Sequence, residues 1–372
     1  MEIMGIEQGK ISNRQALLLI CNSILASMIL ISPALLTQEA GQDAWISILI
    51  AGVLGVLMGI LVISLGLRFP QKNLVEYSIE LLGPWLGKAV CIIFALFFLY
   101  LTAYLIDSFS ALLITETKPE TPIVVLNIFL IILVAYGVYL GLEVFSRVNE
   151  IIFPIFIVVF LFIFCLAVPE MDFEQLKPIF THPPSHILWG SLILFSFYAE
   201  GAFILMLIPS LRESSGVRKI AGTVSVILTV VMLIDVVGLI ALFGSQETAR
   251  MAFPSFELAK TVHLGGFLER IESLVVGIWV GSVSLKIMAF YYVSVLTFAE
   301  VFNLKDYRPL VLPYAIILVV LSIIGWENTT HINIFLSRYY PLLAVTVLAG
   351  LTLLLYLVFV GRKSGNKGGK VK

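Results

Sequence analysis

Residues 198–209 read Tyr-Ala-Glu-Gly-Ala-Phe-Ile-Leu-Met-Leu-Ile-Pro and place a carboxylate beside a glycine within a long apolar run. A straight helix that faces lipid does not carry this pattern, because an ionisable group inside the bilayer is costly unless it is paired or wet. Pro209 closes the run and lacks a backbone donor, which lipid cannot replace. The stretch therefore predicts a discontinuous membrane helix around Glu200.

The whole chain has the composition of an integral membrane protein. Of its 372 residues, 60% are hydrophobic and only 13% are charged, and the mean hydropathy is +1.05. Soluble domains carry about 25% charged residues. The net charge of −1 gives no support to a nucleic-acid partner, whereas membrane lipid is an expected partner.

Ten apolar runs approach the length of about 20 residues that a membrane span requires. We expect one transmembrane domain over 15–360, preceded by a cytoplasmic N-terminus over 1–14 and followed by a basic tail over 361–372, for which the composition predicts disorder. The runs cover residues 15–36, 45–67, 88–114, 121–142, 150–168, 187–210, 219–244, 271–300, 309–326 and 335–360.

The distribution of Lys and Arg predicts the orientation in the membrane. With a cytoplasmic N-terminus, 16 of these residues fall inside and 6 outside, as the positive-inside rule requires. Both termini are then cytoplasmic, and the segments 37–43 and 246–268 lie on the opposite side.

Ten spans divide into two halves of five, about 15–168 and 187–360, and an odd number per half inverts the second half. Inverted repeats are typical of transporters whose sites lie at the membrane midplane in discontinuous helices. The first span contains Met28-Ile29-Leu30-Ile31-Ser32-Pro33, similar to Leu205-Met206-Leu207-Ile208-Pro209 in the sixth. The predicted fold is all-α, with discontinuous first and sixth helices.

Four ionisable residues within the spans are candidates for gating or charge coupling, or else form structural ion pairs or hydrogen-bonded neutral acids. Asp107 shares a helical face with Tyr100 and Tyr104. This face either lines a wet cavity or buries the tyrosine rings by aromatic packing. The four are Asp107, Glu200, Asp235 and Lys286.

Lys286 shares a face with Ser282, and both Lys286 and Glu200 lie near mid-depth. If their helices touch, they should pair. Alternatively, the Lys286 ammonium bridges to backbone carbonyls of an unwound first helix near Ala26 to Met28 and makes a sodium ion unnecessary.

Soluble-enzyme signatures are absent: the chain has no P-loop, no GxSxG and no HExxH. The four histidines fall in outer loops, and we expect neither a metal nor a cofactor. Cys21, Cys91 and Cys165 each stand alone in an apolar run and are predicted to be buried thiols.

Three stretches, in this order, resemble the B subunits of bacterial spore germinant receptors, a branch of the amino acid–polyamine–organocation transporter superfamily. They are Arg68-Phe69-Pro70 with Leu74-Val75-Glu76-Tyr77 and Leu82-Gly83-Pro84-Trp85-Leu86-Gly87; Glu200 with Leu207-Ile208-Pro209; and Phe253-Pro254, Phe267-Leu268-Glu269-Arg270-Ile271-Glu272-Ser273 and Trp279.

This resemblance implies a LeuT-like fold and a small-molecule site between unwound first and sixth helices. It also implies a nutrient-sensing role beside A-type and lipoprotein C-type subunits in the inner membrane of the spore, with an amino acid or sugar as ligand. Where the superfamily often has glycines, this chain has Ala26-Ser27-Met28. The candidate ligand-binding residues are Ala26, Ser27, Met28, Tyr100, Tyr104, Tyr198, Ala199, Glu200, Gly201 and Ser282.

Two functions share this fold, and the fold does not decide between them. One is a ligand-sensing receptor subunit without catalysis. The other is a secondary transporter of amino acids or amines, coupled to protons through Glu200 or Asp107.

Overall fold

The computed structural model describes residues 9–116, 122–212, 216–261, 271–325 and 329–367, and this part of the chain is almost entirely helical. His263 and residues 267–270, singled out above, lie outside it. The α-helices are α1 (Asn13–Ala40), α2 (Ala44–Gly66), α3 (Leu74–Leu82), α4 (Pro84–Glu116), α5 (Ile123–Leu140), α6 (Leu142–Ala167), α7 (Pro184–Ala199), α8 (Val217–Phe243), α9 (Ser245–Arg250), α10 (Pro254–Thr261), α11 (Ile271–Val301), α12 (Arg308–Ile324), α13 (Thr329–Ile334), α14 (Tyr340–Ala344) and α15 (Leu351–Lys367).

Eight helical segments of the described residues are long and apolar enough to cross a membrane. The first of them, residues 13–66, contains both α1 and α2, which are separated by a short 3₁₀ turn at Gly41–Asp43. α12 is apolar but shorter, at 17 residues. Counting α1 and α2 separately and adding α12 gives the ten spans that the hydropathy predicts.

The first helix differs from its prediction because α1 is continuous from Asn13 to Ala40. Ala26, Ser27 and Met28 include no glycine, so their backbone remains in the helical ladder. Pro33 lies inside the helix rather than ending it. It removes only the N–H that would bond to the carbonyl of Ile29. The prediction of a discontinuous first helix is therefore wrong for this structure.

The sixth span is discontinuous, as predicted. α7 ends at Ala199, and a 3₁₀ helix continues over Glu200–Met206, followed by a 3₁₀ turn at Ile208–Ser210. The tighter 3₁₀ winding shifts each hydrogen bond from the fourth to the third residue along the chain. The α-helical ladder thus stops at the carboxylate residue.

The last span changes its winding twice. Between α13 and α14 the chain forms a π-helix at Phe335–Tyr339, and between α14 and α15 a second one at Val345–Gly350. π-helical turns are rare and often occur at functional sites. α15 ends at Lys367 and so extends into the predicted basic tail; residues 368–372 are not described.

α3 and α4 meet at a sharp reversal whose residues belong to the resemblance above. Gly83 has a φ of +85°, which favours glycine, and Pro84 begins α4. A Cβ on Gly87 would lie 2.6 Å from the Cα of Ile79. The short helix α3 can pack against the first turn of α4 only because residue 87 has no side chain.

Candidate functional site

A buried ion pair lies where the sixth span is interrupted. The Lys286 ammonium donates to Glu200 Oε2 at 2.7 Å. The exposed fraction is 1% for Glu200 and 0% for Lys286. Lys286 lies at the midpoint of α11, 15 residues from either end, so neither charge reaches water. The pairing predicted for these two residues is confirmed.

Two further side chains complete the hydrogen bonds of the pair. Lys286 Nζ also donates to Ser27 Oγ at 2.6 Å, and the Tyr340 hydroxyl donates to Glu200 Oε1. The ammonium lies 5.0 Å from the ring centroid of Phe290, within cation–π range. We call Ser27, Glu200, Lys286 and Tyr340 the central cluster; it connects α1, the interrupted sixth span, α11 and α14.

Each of the four side chains of the central cluster forms a hydrogen bond with another member. Removing one partner of a buried ion pair typically costs about 3–5 kcal/mol, because the remaining charge has no solvent and no counterion. Both Glu200 oxygens have a donor, and Lys286 has two acceptors and an aromatic face. A polar ligand could enter only by replacing some of these contacts.

The alternative arrangement of Lys286, with backbone carbonyls of an unwound first helix as acceptors, is wrong for this structure. α1 is intact, and its contribution is the side-chain hydroxyl of Ser27. Ser282, one turn before Lys286, donates to Asn22 Oδ1, and Asn22 Nδ2 donates to the Ser282 carbonyl at 3.0 Å. α1 and α11 are therefore joined by polar contacts on two successive turns of α11.

Tyr198 and Gly201 line a different space from the central cluster. The Tyr198 hydroxyl forms a hydrogen bond of 2.9 Å with Thr229 on α8. Tyr198 and Gly201 border a mainly apolar cavity of about 40 Å³ between α1, α2 and α8. This cavity is large enough for a small apolar group and adjoins the residue that follows Glu200.

The tyrosine face of α4 is only partly buried. Tyr104 is 2% exposed and Tyr100 is 38% exposed, and both rings contact Phe335 on the first π-helical turn. Asp107 is 7% exposed and forms no ion pair with any described residue. Ala26, Met28 and Ala199 are fully buried. Ligand binding by these residues stays a prediction.

Asp235 lies apart from the central cluster. It is fully buried on α8, and its partner is Ser255 on α10, 2.9 Å away. Cys165, predicted to be buried, is exposed on α6, because only part of that helix packs against its neighbours. The described residues contain no group of three or more potential metal ligands.

Sequence reasoning did not identify Tyr340 or Asn22. Tyr340 precedes a proline in a long apolar run, and a tyrosine near the end of a span is typical of the membrane interface. The only available signal was that an intramembrane pair needs further donors to satisfy both carboxylate oxygens. A second donor to the Glu200 carboxylate is therefore expected, but the sequence does not indicate which residue provides it.

The chain closes over the central cluster at the end where α1 begins. Ile11 N–H donates to the Ser210 carbonyl at 2.9 Å, and Arg212 N–H donates to the Ile11 carbonyl at 3.0 Å. Lys10 Nζ donates to the Pro209 carbonyl at 2.7 Å. The segment before α1 is thereby held against the end of the interrupted span, beside a cavity of about 400 Å³.

The end of α1 is closed by a second set of contacts. Glu39 accepts from Arg338 at 2.9 Å and lies 3.4 Å from His186, which joins α1 to the last span and to α7. Asp43 accepts the N–H groups of Phe180, Thr181 and His182 at 2.7, 2.8 and 3.0 Å. The structure is therefore closed on both sides of the central cluster.

Two solved structures resemble this fold. MhsT in complex with L-phenylalanine matches with a TM-score of 0.65, covering 95% of this chain and 99% of that one at 12% identity. Mhp1, a nucleobase-cation-symport-1 family transporter in a closed conformation with bromovinylhydantoin bound, matches with a TM-score of 0.67, covering 94% of this chain and 78% of that one at 12% identity. The chain thus has the LeuT fold.

Sequence relatives give the family. Spore germination protein YndE of Bacillus subtilis (strain 168) is 24% identical over 361 residues, 96% of this chain and 99% of the relative. Spore germination protein KB of the same organism is 25% identical over 333 residues, 88% of each chain. The family model described as "Spore germination protein" matches residues 10–330. The chain therefore belongs to the spore germination protein family.

Proposed function

We propose that this chain is the nutrient-sensing subunit of a spore germinant receptor, and that it binds a small molecule, an amino acid or a sugar, beside the central cluster. The observation that carries the proposal is the fully buried Glu200–Lys286 pair at the break of the sixth span. Burying such a pair costs free energy, so a gain in stability alone does not explain its presence.

The central cluster is suited to convert binding into a conformational change. A ligand shifts a two-state equilibrium only through different affinities for the two states. A ligand that bonds to Glu200 or Lys286 must displace Tyr340 or Ser27, which lie on different helices. Its binding would therefore change how α1 and α14 are held against the sixth span and α11.

The family suggests which partners the chain has. We propose that the chain acts beside an A-type and a C-type receptor subunit in the inner membrane of the spore, with both termini in the cytoplasm. Family and fold support a receptor or a transporter rather than an enzyme.

The proposal is tested in spores that carry Glu200→Gln or Tyr340→Phe. Each variant keeps the size of the side chain and alters one contact of the pair. We expect each variant to shift the nutrient concentration for half-maximal germination by about tenfold or more, which corresponds to about 1.4 kcal/mol. Each variant is compared with the wild type at equal membrane levels of the protein, which are measured by immunoblot.

Glu143→Gln is the matched control, because Glu143 pairs with Arg147 and Arg212 near the surface, where ion pairs contribute little. A normal dose response in all three variants contradicts the proposal. Uptake of labelled amino acids or amines into proteoliposomes containing the purified chain would instead identify a secondary transporter of these compounds.

A further inference from the structure

α10, which lies between α8 and α11, is joined to both α1 and α8 through one hydroxyl group, whereas α9 is held to α1 separately by Gln38, which donates to the Ala249 carbonyl at 2.7 Å. Ser255 Oγ lies 2.9 Å from the Ile29 carbonyl of α1 and 2.9 Å from Asp235 Oδ1 of α8. Ser255 is 4% exposed and Asp235 is 0% exposed. Three separate elements therefore meet at a single buried serine.

The carbonyl of Ile29 needs this serine. In an α-helix it would accept from the N–H of residue 33, but residue 33 is proline and has none. A buried carbonyl without a donor costs about 1–3 kcal/mol. Ser255 supplies the missing donor from outside the helix.

The hydrogen count then fixes the state of Asp235. A serine hydroxyl has one hydrogen, and a carbonyl can only accept, so this hydrogen belongs to the bond with Ile29. The contact between Ser255 and Asp235 therefore needs a hydrogen on the carboxyl group, which donates it to Ser255 Oγ. An ionised carboxylate would place an acceptor against an oxygen whose hydrogen is already used.

The second carboxyl oxygen supports the same assignment. Asp235 Oδ2 is buried and has no hydrogen-bond partner. A buried, unpaired carboxylate is far more costly than a neutral carboxylic acid. An uncharged Asp235 leaves one weak acceptor unsatisfied, whereas an ionised one leaves a charge unsatisfied.

No cation among the described residues compensates a charge on Asp235. On α8 itself the only cations are Arg218 and Lys219 in the first turn, about four turns before Asp235. α2 contains no charged residue, and the charged groups of the other elements packed on α8 form ion pairs with other residues or cap a 3₁₀ turn. Glu39 of α1 pairs with Arg338 and His186, Arg14 of α1 pairs with Glu150 of α6, and Arg147 pairs with Glu143 within α6. Glu247 pairs with Arg250 in α9, and Glu257 pairs with Lys260 in α10. Glu174 pairs with Lys177, and Asp172 caps the 3₁₀ turn that contains Glu174.

We propose that Asp235 is a proton-binding site, and that its bound proton holds α10 closed against α1 one turn before Pro33. Loss of the proton leaves Asp235 and the Ile29 carbonyl competing for the one hydrogen of Ser255. One of them then lacks a donor from the protein, and α10 separates from α1 so that solvent can reach the carboxylate. The inference stands apart from the nutrient site, because it uses no residue of the central cluster.

The bound proton is tested by infrared spectroscopy of the full chain in proteoliposomes at neutral pH. We expect the spectrum to contain the C=O stretching band of a protonated carboxylic acid, which Asp235→Asn removes and the matched variant Glu257→Gln retains. If Asp235→Asn removes no such band, the proposal is overturned.

The closure is tested separately by thiol labelling of Ala259→Cys, a position on α10 that is 3% exposed, in a background without the native cysteines. Ser255→Ala should raise the labelling rate about tenfold, which corresponds to about 1.4 kcal/mol. Asp235→Asn should keep it low, since the Asn amide still donates to Ser255. Equal rates in wild type and Ser255→Ala, or fast labelling in Asp235→Asn, would refute the closure.

Discussion

At the scale of single residues, the central cluster shows how far a charge pattern can be interpreted without a structure. The apolar context of Glu200 and Lys286 predicted that both lie deep, because an intramembrane charge is costly unless it is paired or wet, and that they pair if their helices touch. Ser27 and Tyr340 were harder to assign, since hydroxyl groups are tolerated almost anywhere in a span. The bond to Ser27 depends on how α1 and α11 cross, and no local pattern encodes a crossing angle.

A double-mutant cycle measures the coupling of the pair. Glu200→Gln and Lys286→Met should each lower stability by about 3–5 kcal/mol, because each leaves a buried charge unpaired. The double variant should lose less than the sum, by about 0.5–3 kcal/mol. The measurement is the free energy of unfolding in detergent.

The matched control for this cycle is the exposed pair of Glu174 and Lys177, whose nitrogen and oxygen lie 2.9 Å apart. Exposed pairs contribute about 0.2–1 kcal/mol, so their cycle should be nearly additive. Additive losses at Glu200 and Lys286 would show that the two side chains do not interact.

Asp43 predicts how stability depends on acid. Burial raises the pKa of this carboxyl, but hydrogen bonds from His182, Phe180 and Thr181 outweigh burial and hold its pKa below the usual value. Because folding lowers this pKa, the ionised carboxylate stabilises the folded protein at pH values above the unfolded-state pKa of about 3.9. This stabilisation is lost as the pH falls from that value through the folded-state pKa.

The melting temperature of the wild type should therefore decrease below about pH 4, and Asp43→Asn should be less stable at neutral pH and less sensitive to acid. Thermal scans of both proteins between neutral and acidic pH test this. A parallel decrease in the two proteins would assign the acid sensitivity to other groups.

At the scale of elements, glycine and proline decide where helices turn, yet the same residue type acts differently in different surroundings. Pro209 lies in the 3₁₀ turn at the end of an interrupted span, whereas Pro33 lies inside a continuous helix. The two segments that end in these prolines have similar sequences. They differ in structure because Ser255 donates to the carbonyl that Pro33 leaves free, and a residue more than 200 positions away is invisible to a local pattern.

The reversal between α3 and α4 gives a sharp test of close packing. Gly87→Ala should lower the unfolding temperature strongly, because its Cβ would lie 2.6–2.7 Å from backbone atoms of Ile79, which cannot move as a side chain can. Gly222→Ala is the control: no atom lies within 4 Å of its Cβ, and alanine favours a helix over glycine by about 1 kcal/mol. Equal unfolding temperatures for the two variants would mean that α3 and α4 are not packed this closely.

At the scale of the whole molecule, the ten apolar runs and the five-plus-five division predicted the fold class well. Eight of the runs correspond to single helices, whereas the sixth run is divided between α7 and 3₁₀ segments and the tenth between α-helices and π-turns. Caps such as Ser12 with Gln15 extend helices beyond their apolar parts. The π-helical turns and the contacts that close both ends were not predicted, because they depend on tertiary packing.

The membrane orientation can be tested with a single cysteine at one of two exposed positions. Phe180→Cys should react with a membrane-impermeant thiol reagent added from outside to oriented vesicles or protoplasts. Gln71→Cys should react only after the membrane is permeabilised. Phe180 is 69% exposed and Gln71 is also exposed, so access and not burial decides the result. The reverse pattern would invert the topology.

The two π-helical turns on either side of α14 make the last span adjustable by whole residues. A π-turn contains one residue more than an α-turn, and each residue of an α-helix accounts for about 100° of rotation and 1.5 Å of rise. If the turn at Phe335–Tyr339 lost its extra residue to the turn at Val345–Gly350, the helix between them would rotate by about this amount. Tyr340 would then move past Glu200, and Tyr339 would take its place. α14 would thus switch between two discrete rotational registers while both ends of the last span stay in place.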